Sequence, residues 1–152
     1  MYAPTAERSI AIIDAFIGDN YYLSNFYETP VCFDGITYQN NEAAFQAQKT
    51  QDVGKRTQFA YLKPQDAKHA GRKLHLREDW ETVKYDLMYQ ICKAKFLQHP
   101  DLAQKLLDTG NEELIEGNDW GDRIWGAVDG NGQNHLGKIL MRIRKELSEP
   151  KE

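Results

Sequence analysis

Glu42, Phe45, Gln46 and Lys49 are spaced i, i+3, i+4 and i+7. On an α-helix of about 3.6 residues per turn all four fall on one stripe. A stripe facing a core is mostly apolar, whereas this one sets an acid, an amide and an amine beside a single aromatic. Helical side chains lean toward the N-terminus, so Lys49 can reach back toward Gln46 and Glu42 across roughly 10 Å of rise. A carboxylate held here can stabilise positive charge developing on a bound substrate, or activate water as a general base. An uncharged Lys49 amine can attack an aldehyde or iminium carbon and form a Schiff base, which needs burial or a cationic neighbour. A tight pair with Glu42 would keep the ammonium and leave Lys49 as a binding charge. The plain alternative is helix electrostatics alone, with an acid in the first turn and a cation nearer the last.

The elements that must position this stripe are legible on either side. Asn40 and Asn41 are each suited to cap a helix, and the alanines that follow favour one. Upstream, Val31 to Tyr38 reads as a β-hairpin around Asp34-Gly35, a pair suited to a type I′ turn. Downstream the pattern predicts helices over 53–62, from Pro64 to about Lys73, from Trp80 to about Leu97 with Asp79 as its cap, and from Pro100 to Thr109-Gly110. In the longest, Trp80, Val83, Leu87, Ile91 and Ala94 make the expected apolar stripe. Asn134 is expected to cap a last helix through Leu147, and Gly137 in its first turn implies that another backbone or a ligand comes close. Ile10 to Ile13 is a short core segment or strand, and Leu114-Ile115-Glu116 a short strand or turn.

Further candidates lie outside the stripe. Tyr21 to Tyr27 holds four aromatics with Ser24 and Asn25; Tyr21 and Leu23 read as core, Asn25 and Phe26 equally as core or site. The 117–133 segment is glycine-rich, with two tryptophans and three aspartates, and a loop of that kind inside a small domain is usually functional. Its glycines fit neither a Walker A loop nor a dinucleotide fingerprint. Lys68, Arg72, Lys73 and Arg77, with His69 and His75, form a basic cluster, either a solvated helix face or a phosphate contact.

The 152 residues, 41% hydrophobic and 28% charged, suit one domain over 1–152, ordered from about 8 to 147, with disorder expected at Met1 to Glu7 and Ser148 to Glu152. No run is long and apolar enough for a membrane span, and no basic leader precedes an apolar stretch. Cys32 and Cys92 are far apart without partners at zinc-ligand spacing, so they read as reduced thiols of a cytoplasmic protein without a metal. A net charge of −4 argues against broad nonspecific nucleic-acid binding but permits a local anion pocket.

Taken in order, Leu23-Ser24-Asn25-Phe26, Tyr38 to Lys49, Trp80-x-x-x-Lys84-x-x-x-Met88, Leu114-Ile115-Glu116, Asp122-x-x-Trp125-Gly126 and Asn134-x-Leu136-Gly137-x-x-Leu140-Met141 resemble the NADAR, or YbiA-like, family across about residues 21–145. The resemblance implies a mainly α (α+β), compact multi-helical domain with a small N-terminal β element. It implies an N-glycosidase, a hydrolase that needs no cofactor and cleaves a bond between a ribose-phosphate sugar and nitrogen. Its substrate would be ADP-ribose on guanine in DNA or RNA, or an early riboflavin-pathway intermediate; an ADP-ribosyltransferase toxin would be the counterpart of the first activity. A non-catalytic ADP-ribose or nucleotide reader stays open as the alternative. The residues carried over are Glu42, Lys49 and Asp122 for catalysis. Asn25, Phe26, Gln46, Trp80, Lys84, Trp125, Gly126 and Asn134 are carried over for substrate binding, with Trp125, Trp80 or Phe26 stacking a base.

Overall fold

Asp34 and Gly35 lie at φ +49° and +82°, the backbone of a type I′ hairpin turn. The computed structural model describes residues 11–150. In chain order it comprises β1 (Ile12–Ile13), a 3-10 turn (Gly18–Leu23), β2 (Glu28–Phe33), β3 (Ile36–Asn40), α1 (Asn41–Ala47), α2 (Val53–Gln58), α3 (Pro64–Gly71), α4 (Trp80–Gln98), α5 (Pro100–Asp108), β4 (Glu113–Leu114) and α6 (His135–Ser148). The fold is mainly helical, with two small sheets. β2 and β3 form the expected antiparallel hairpin with Val31 opposite Tyr38, while β1 lies parallel to β4 with Ile13 opposite Leu114. Ile10 and the expected disordered ends at 1–7 and 151–152 lie outside the described residues, and α6 continues to Ser148.

β3 runs straight into α1, whose start is set by Asn40: its side-chain oxygen accepts the Ala43 N–H at 2.7 Å. All seven residues of α1 are buried. Ala43, Ala44 and Ala47 let neighbours approach closely, and α1 packs against α3, α4 and the hairpin. On the α3 side the approach is so close that a Cβ on Gly71 would overlap the Gln46 amide.

Several expectations are corrected. The 21–27 aromatics start in a 3-10 turn that buries Tyr22 and Leu23 and leaves Tyr21 42% exposed; the tight turn rotates Tyr21 outward, edge-on to Tyr27. On α4 the fully buried row is Trp80, Met88, Ile91, Cys92 and Phe96, while Val83, Leu87 and Ala94 are half-buried, because the helix is covered by β2, α1 and α6 together. Asp79 stands at the start of α4 without capping it, since both its carboxylate oxygens are held by Arg77 at 2.6 and 3.1 Å. Lys95 is 1% exposed. Its ammonium donates to the carbonyls of Tyr22 and Ser24 at the end of the 3-10 turn, at 2.5 and 3.2 Å, and burial pushes its pKa down to about 8. Pro100 begins α5 and Gly110, at φ +61°, closes it as expected. Cys32 is exposed, Cys92 buried, and both are free thiols. Among the described residues no helix is long and apolar enough to cross a membrane.

Candidate active site

Glu42 sits in the first turn of α1, its backbone N–H donating to the Asn25 carbonyl at 3.0 Å and its Oε2 accepting from Gln46 Nε2 at 2.7 Å. It is only 9% exposed, and burial raises its carboxyl above the usual range. The Gln46 hydrogen bond and then the Lys68 and Lys49 charges oppose that rise, and Asp122 adds to it. No ion pair among the described residues includes Glu42. The acid is therefore surrounded by cations without being neutralised by contact.

α1 ends at Ala47, so Lys49 lies just beyond the helix on which the spacing placed it. The turn continues, with the Lys49 N–H donating to the Gln46 carbonyl at 3.2 Å and the Lys49 carbonyl accepting the Arg77 N–H at 2.9 Å. The ammonium lies 6.0 Å from the Trp80 ring. Burial lowers its pKa first; Glu42 opposes this, and Arg72 and Lys84 reinforce it. The balance favours the neutral amine more than in water, and Lys49 is not locked in an ion pair with Glu42.

The opposite wall comes from the glycine-rich segment. Asp122 Oδ1 accepts the N–H groups of Ile124 and Trp125 at 3.0 and 2.9 Å, so this acid folds the loop while its charge reaches Glu42. Trp125, half-buried, stands edge-on to Phe45 with centroids 5.4 Å apart and lies against Tyr85. A Cβ on Gly126 would overlap the Glu116 carboxylate and carbonyl, so only glycine permits this approach. Glu116 escaped the site assignment although its short strand was recognised. Its Oε2 accepts from Asn118 Nδ2 at 2.9 Å, and burial raises its pKa to about 7 with help from Asp122 and Glu42. An acid between a strand and a glycine-rich loop was the available signal.

The side chains of Asn25 and Asn134 are both engaged by neighbouring segments. Asn25 is 8% exposed, its side chain held by Asn41 at 3.2 Å and the Met88 sulfur at 3.3 Å, in the segment whose carbonyl receives the Glu42 N–H. Asn134 begins α6 at φ +51° but makes no side-chain cap. Its amide instead bridges the Leu114 carbonyl and the Glu116 N–H, each at 2.9 Å, because β4 lies close enough to compete for it. That closeness also explains Gly137, where a Cβ would overlap the Leu114 carbonyl. Trp80, 5% exposed and 5.1 Å from Phe45, is a wall beneath Lys49. Lys84 pairs with Glu81 at 2.7 Å and lies over Tyr85. Phe26 is half-buried beside Lys68 of α3, the member of the basic cluster whose charge reaches Glu42 and Glu116. Two surface concavities, one beside Tyr22, Lys105 and Glu112 and the other beside Gln48, Arg56 and Arg77, include none of Glu42, Lys49, Glu116 or Asp122 in their linings, although Arg77 of the second bonds the Lys49 carbonyl. Among the described residues no group of three or more His, Cys, Asp or Glu is placed to hold a metal ion.

The NADAR domain family model matches residues 15–148. The riboflavin biosynthesis protein VVA0006 of Vibrio vulnificus is 40% identical over 134 residues, 84% of this chain but only 36% of that protein. The N-glycosidase YbiA of Escherichia coli is 38% identical over 129 residues, 82% of this chain and 80% of YbiA. The NMR structure of E. coli YbiA superposes with a TM-score of 0.81 at 36% identity, covering 91% of this chain and 85% of that one. With the family matched over nearly all of the described residues and the fold shared, this chain belongs to the NADAR domain family.

Proposed function

We propose that this chain is an N-glycosidase that hydrolyses the C–N bond between a ribose-phosphate sugar and a nitrogen base, and that its substrate is guanine carrying ADP-ribose in nucleic acid. The observation that carries the reading is the buried, unpaired Glu42 carboxylate faced by two cations, Lys49 and Lys68, and by a second acid, Glu116. As the C–N bond breaks, its electron pair leaves with the base and positive charge grows on the ribose. A carboxylate already fixed by Gln46 stabilises that charge more than it stabilises the neutral substrate. Glu116, with a pKa near neutrality, is suited to protonate the departing nitrogen. Water then adds to the anomeric carbon and its proton passes to a carboxylate. In the alternative route Lys49, whose pKa is lowered, attacks the opened sugar as a neutral amine, and water clears the Schiff base.

A diphosphate is the anion this reading assigns to the site, because Lys49 and Lys68 act electrostatically on Glu42 and Arg72 and Lys84 act on Lys49. The chain's net charge of −4 fits recognition of a modified base rather than of bulk nucleic acid. The enzyme that attaches ADP-ribose would then be its functional counterpart. A riboflavin-pathway ribosylamine phosphate is the second reading, supported by the name of the Vibrio relative. The test is release of ADP-ribose from ADP-ribosylated guanine DNA, which leaves unmodified guanine in the strand, beside turnover of an aminopyrimidine ribosylamine phosphate. Faster turnover of the DNA supports the first reading, turnover of the pyrimidine alone supports the second, and binding without turnover of either leaves a non-catalytic reader.

A further inference from the structure

Trp120 is 60% exposed at the apex of a tight loop. Asn118 closes that loop from both sides: its Oδ1 accepts the Asp122 N–H at 3.0 Å and its Nδ2 donates to the Asp122 carbonyl at 2.9 Å. Gly121 supplies the necessary turn at φ +89°. A single exposed aromatic is ordinary on its own. Here, however, the indole is held on a pinned loop and faces a cation. The Lys68 ammonium lies 5.5 Å from the Trp120 ring and 5.9 Å from the Phe26 ring, between the two. Lys68 makes no salt bridge among the described residues, and its charge acts on both Glu42 and Glu116. Three functions are thus laid out in order from the inside outward: acids for a reacting sugar, an unpaired cation, and an exposed aromatic face.

We infer that Trp120 and Lys68 form an outer lip for the far end of a diphosphate-linked substrate, with Lys68 on the phosphates and the Trp120 indole stacked on the distal nucleobase. The inference rests on the proposed glycosidase reading and names which part of the substrate the lip selects. The order matters: a base joined through phosphate to the reacting ribose matches acid, cation and aromatic in sequence. The base that leaves departs from the anomeric carbon, on the other side of the sugar. Stacking of one base on an aromatic side chain is worth about 1–3 kcal/mol, or roughly 5- to 150-fold in affinity.

The experiment measures binding by calorimetry, so that it does not depend on turnover. ADP-ribose and ribose 5-phosphate are each titrated into the wild type, Trp120→Ala and Trp120→Phe. The lip predicts that Trp120→Ala weakens ADP-ribose at least about fivefold, that Trp120→Phe restores most of the loss, and that ribose 5-phosphate is unaffected. Equal ADP-ribose affinity in the wild type and Trp120→Ala, or an equal loss for both ligands, overturns it. If the Trp120 effect is present but the wild type hydrolyses neither ADP-ribosylated guanine DNA nor an aminopyrimidine ribosylamine phosphate, the lip stands and the glycosidase reading falls.

Discussion

Gly71→Ala, a change on α3 that touches no substrate, should alter the chemistry of Glu42. The new Cβ would overlap the Gln46 amide, and that amide is the donor on Glu42 Oε2 at 2.7 Å. Overpacking of this kind costs about 1–3 kcal/mol, which for a domain of this size lowers the Tm by roughly 2–12 °C. Displacing Gln46 also removes a hydrogen bond to a charged group, worth about 1.5–3 kcal/mol, or about 1–2 pKa units. Burial already raises the Glu42 pKa and Gln46 opposes that rise, so losing Gln46 raises it further. If the reaction needs ionised Glu42, activity falls below that pKa, and the acid limb of kcat/KM should move up by about one unit or more. The assay is a pH–rate profile of ADP-ribose release from ADP-ribosylated guanine DNA with thermal unfolding alongside. In the Gly71→Ala, Gln46→Ala double variant the overlap with the amide is gone, leaving only the tight contact with the residue-46 Cβ, but the donor is still absent. Stability should partly recover while the limb stays high. A folded Gly71→Ala protein whose acid limb has not moved would refute the coupling of α3 to Glu42 through Gln46.

What the sequence made legible was local. The Asp34-Gly35 turn, the Asn40 cap, Pro100 and Gly110 at the ends of α5, and the close approach at Gly137 each follow from short-range rules about φ, caps and glycine. What stayed hidden was set by contacts between distant segments. The parallel pairing of β1 with β4 brings residue 13 beside residue 114, which no periodicity reveals. The same pairing region draws Asn134 away from capping, and it leaves Glu116 half-buried beside Gly126 with a pKa near 7. Lys95 reads as a surface lysine until two carbonyls of the 3-10 turn are seen to receive its ammonium. In the site itself, the Glu42 to Lys49 spacing pointed to the right neighbourhood, yet the end of α1 at Ala47 and the arrival of Lys68 from α3 both depend on packing.

Borohydride reduction during turnover should trap the sugar on Lys49 if the Schiff-base route operates, with the adduct located by peptide mass spectrometry; its absence, or an adduct elsewhere, rejects that route. Asn134→Ala leaves the Leu114 carbonyl and Glu116 N–H without partners, which should cost about 2–6 kcal/mol and lower the Tm by roughly 5–20 °C. Asn134→Gly should recover about 1 kcal/mol of this by relieving the left-handed backbone, and a Tm for the alanine variant equal to the wild type would contradict the bridging role. Lys95 has a folded pKa of about 8 against an ordinary 10.5, so between these values the unfolded chain binds more protons and stability should rise with pH. Urea unfolding at pH 7.5 and 9.5 should show that gain in the wild type and not in Lys95→Met; the same slope in both would place the titration elsewhere.

The central claim is that the Glu42 carboxylate does the work of breaking a ribose–base bond. Single-turnover release of ADP-ribose from ADP-ribosylated guanine DNA, restoring unmodified guanine in the strand, by the wild type and Glu42→Gln tests it most directly, with ADP-ribose affinity and Tm measured on the same samples. The expected result is a folded variant that still binds ADP-ribose and releases it from the DNA at least about a hundredfold more slowly. Release by Glu42→Gln at the wild-type rate would contradict the claim.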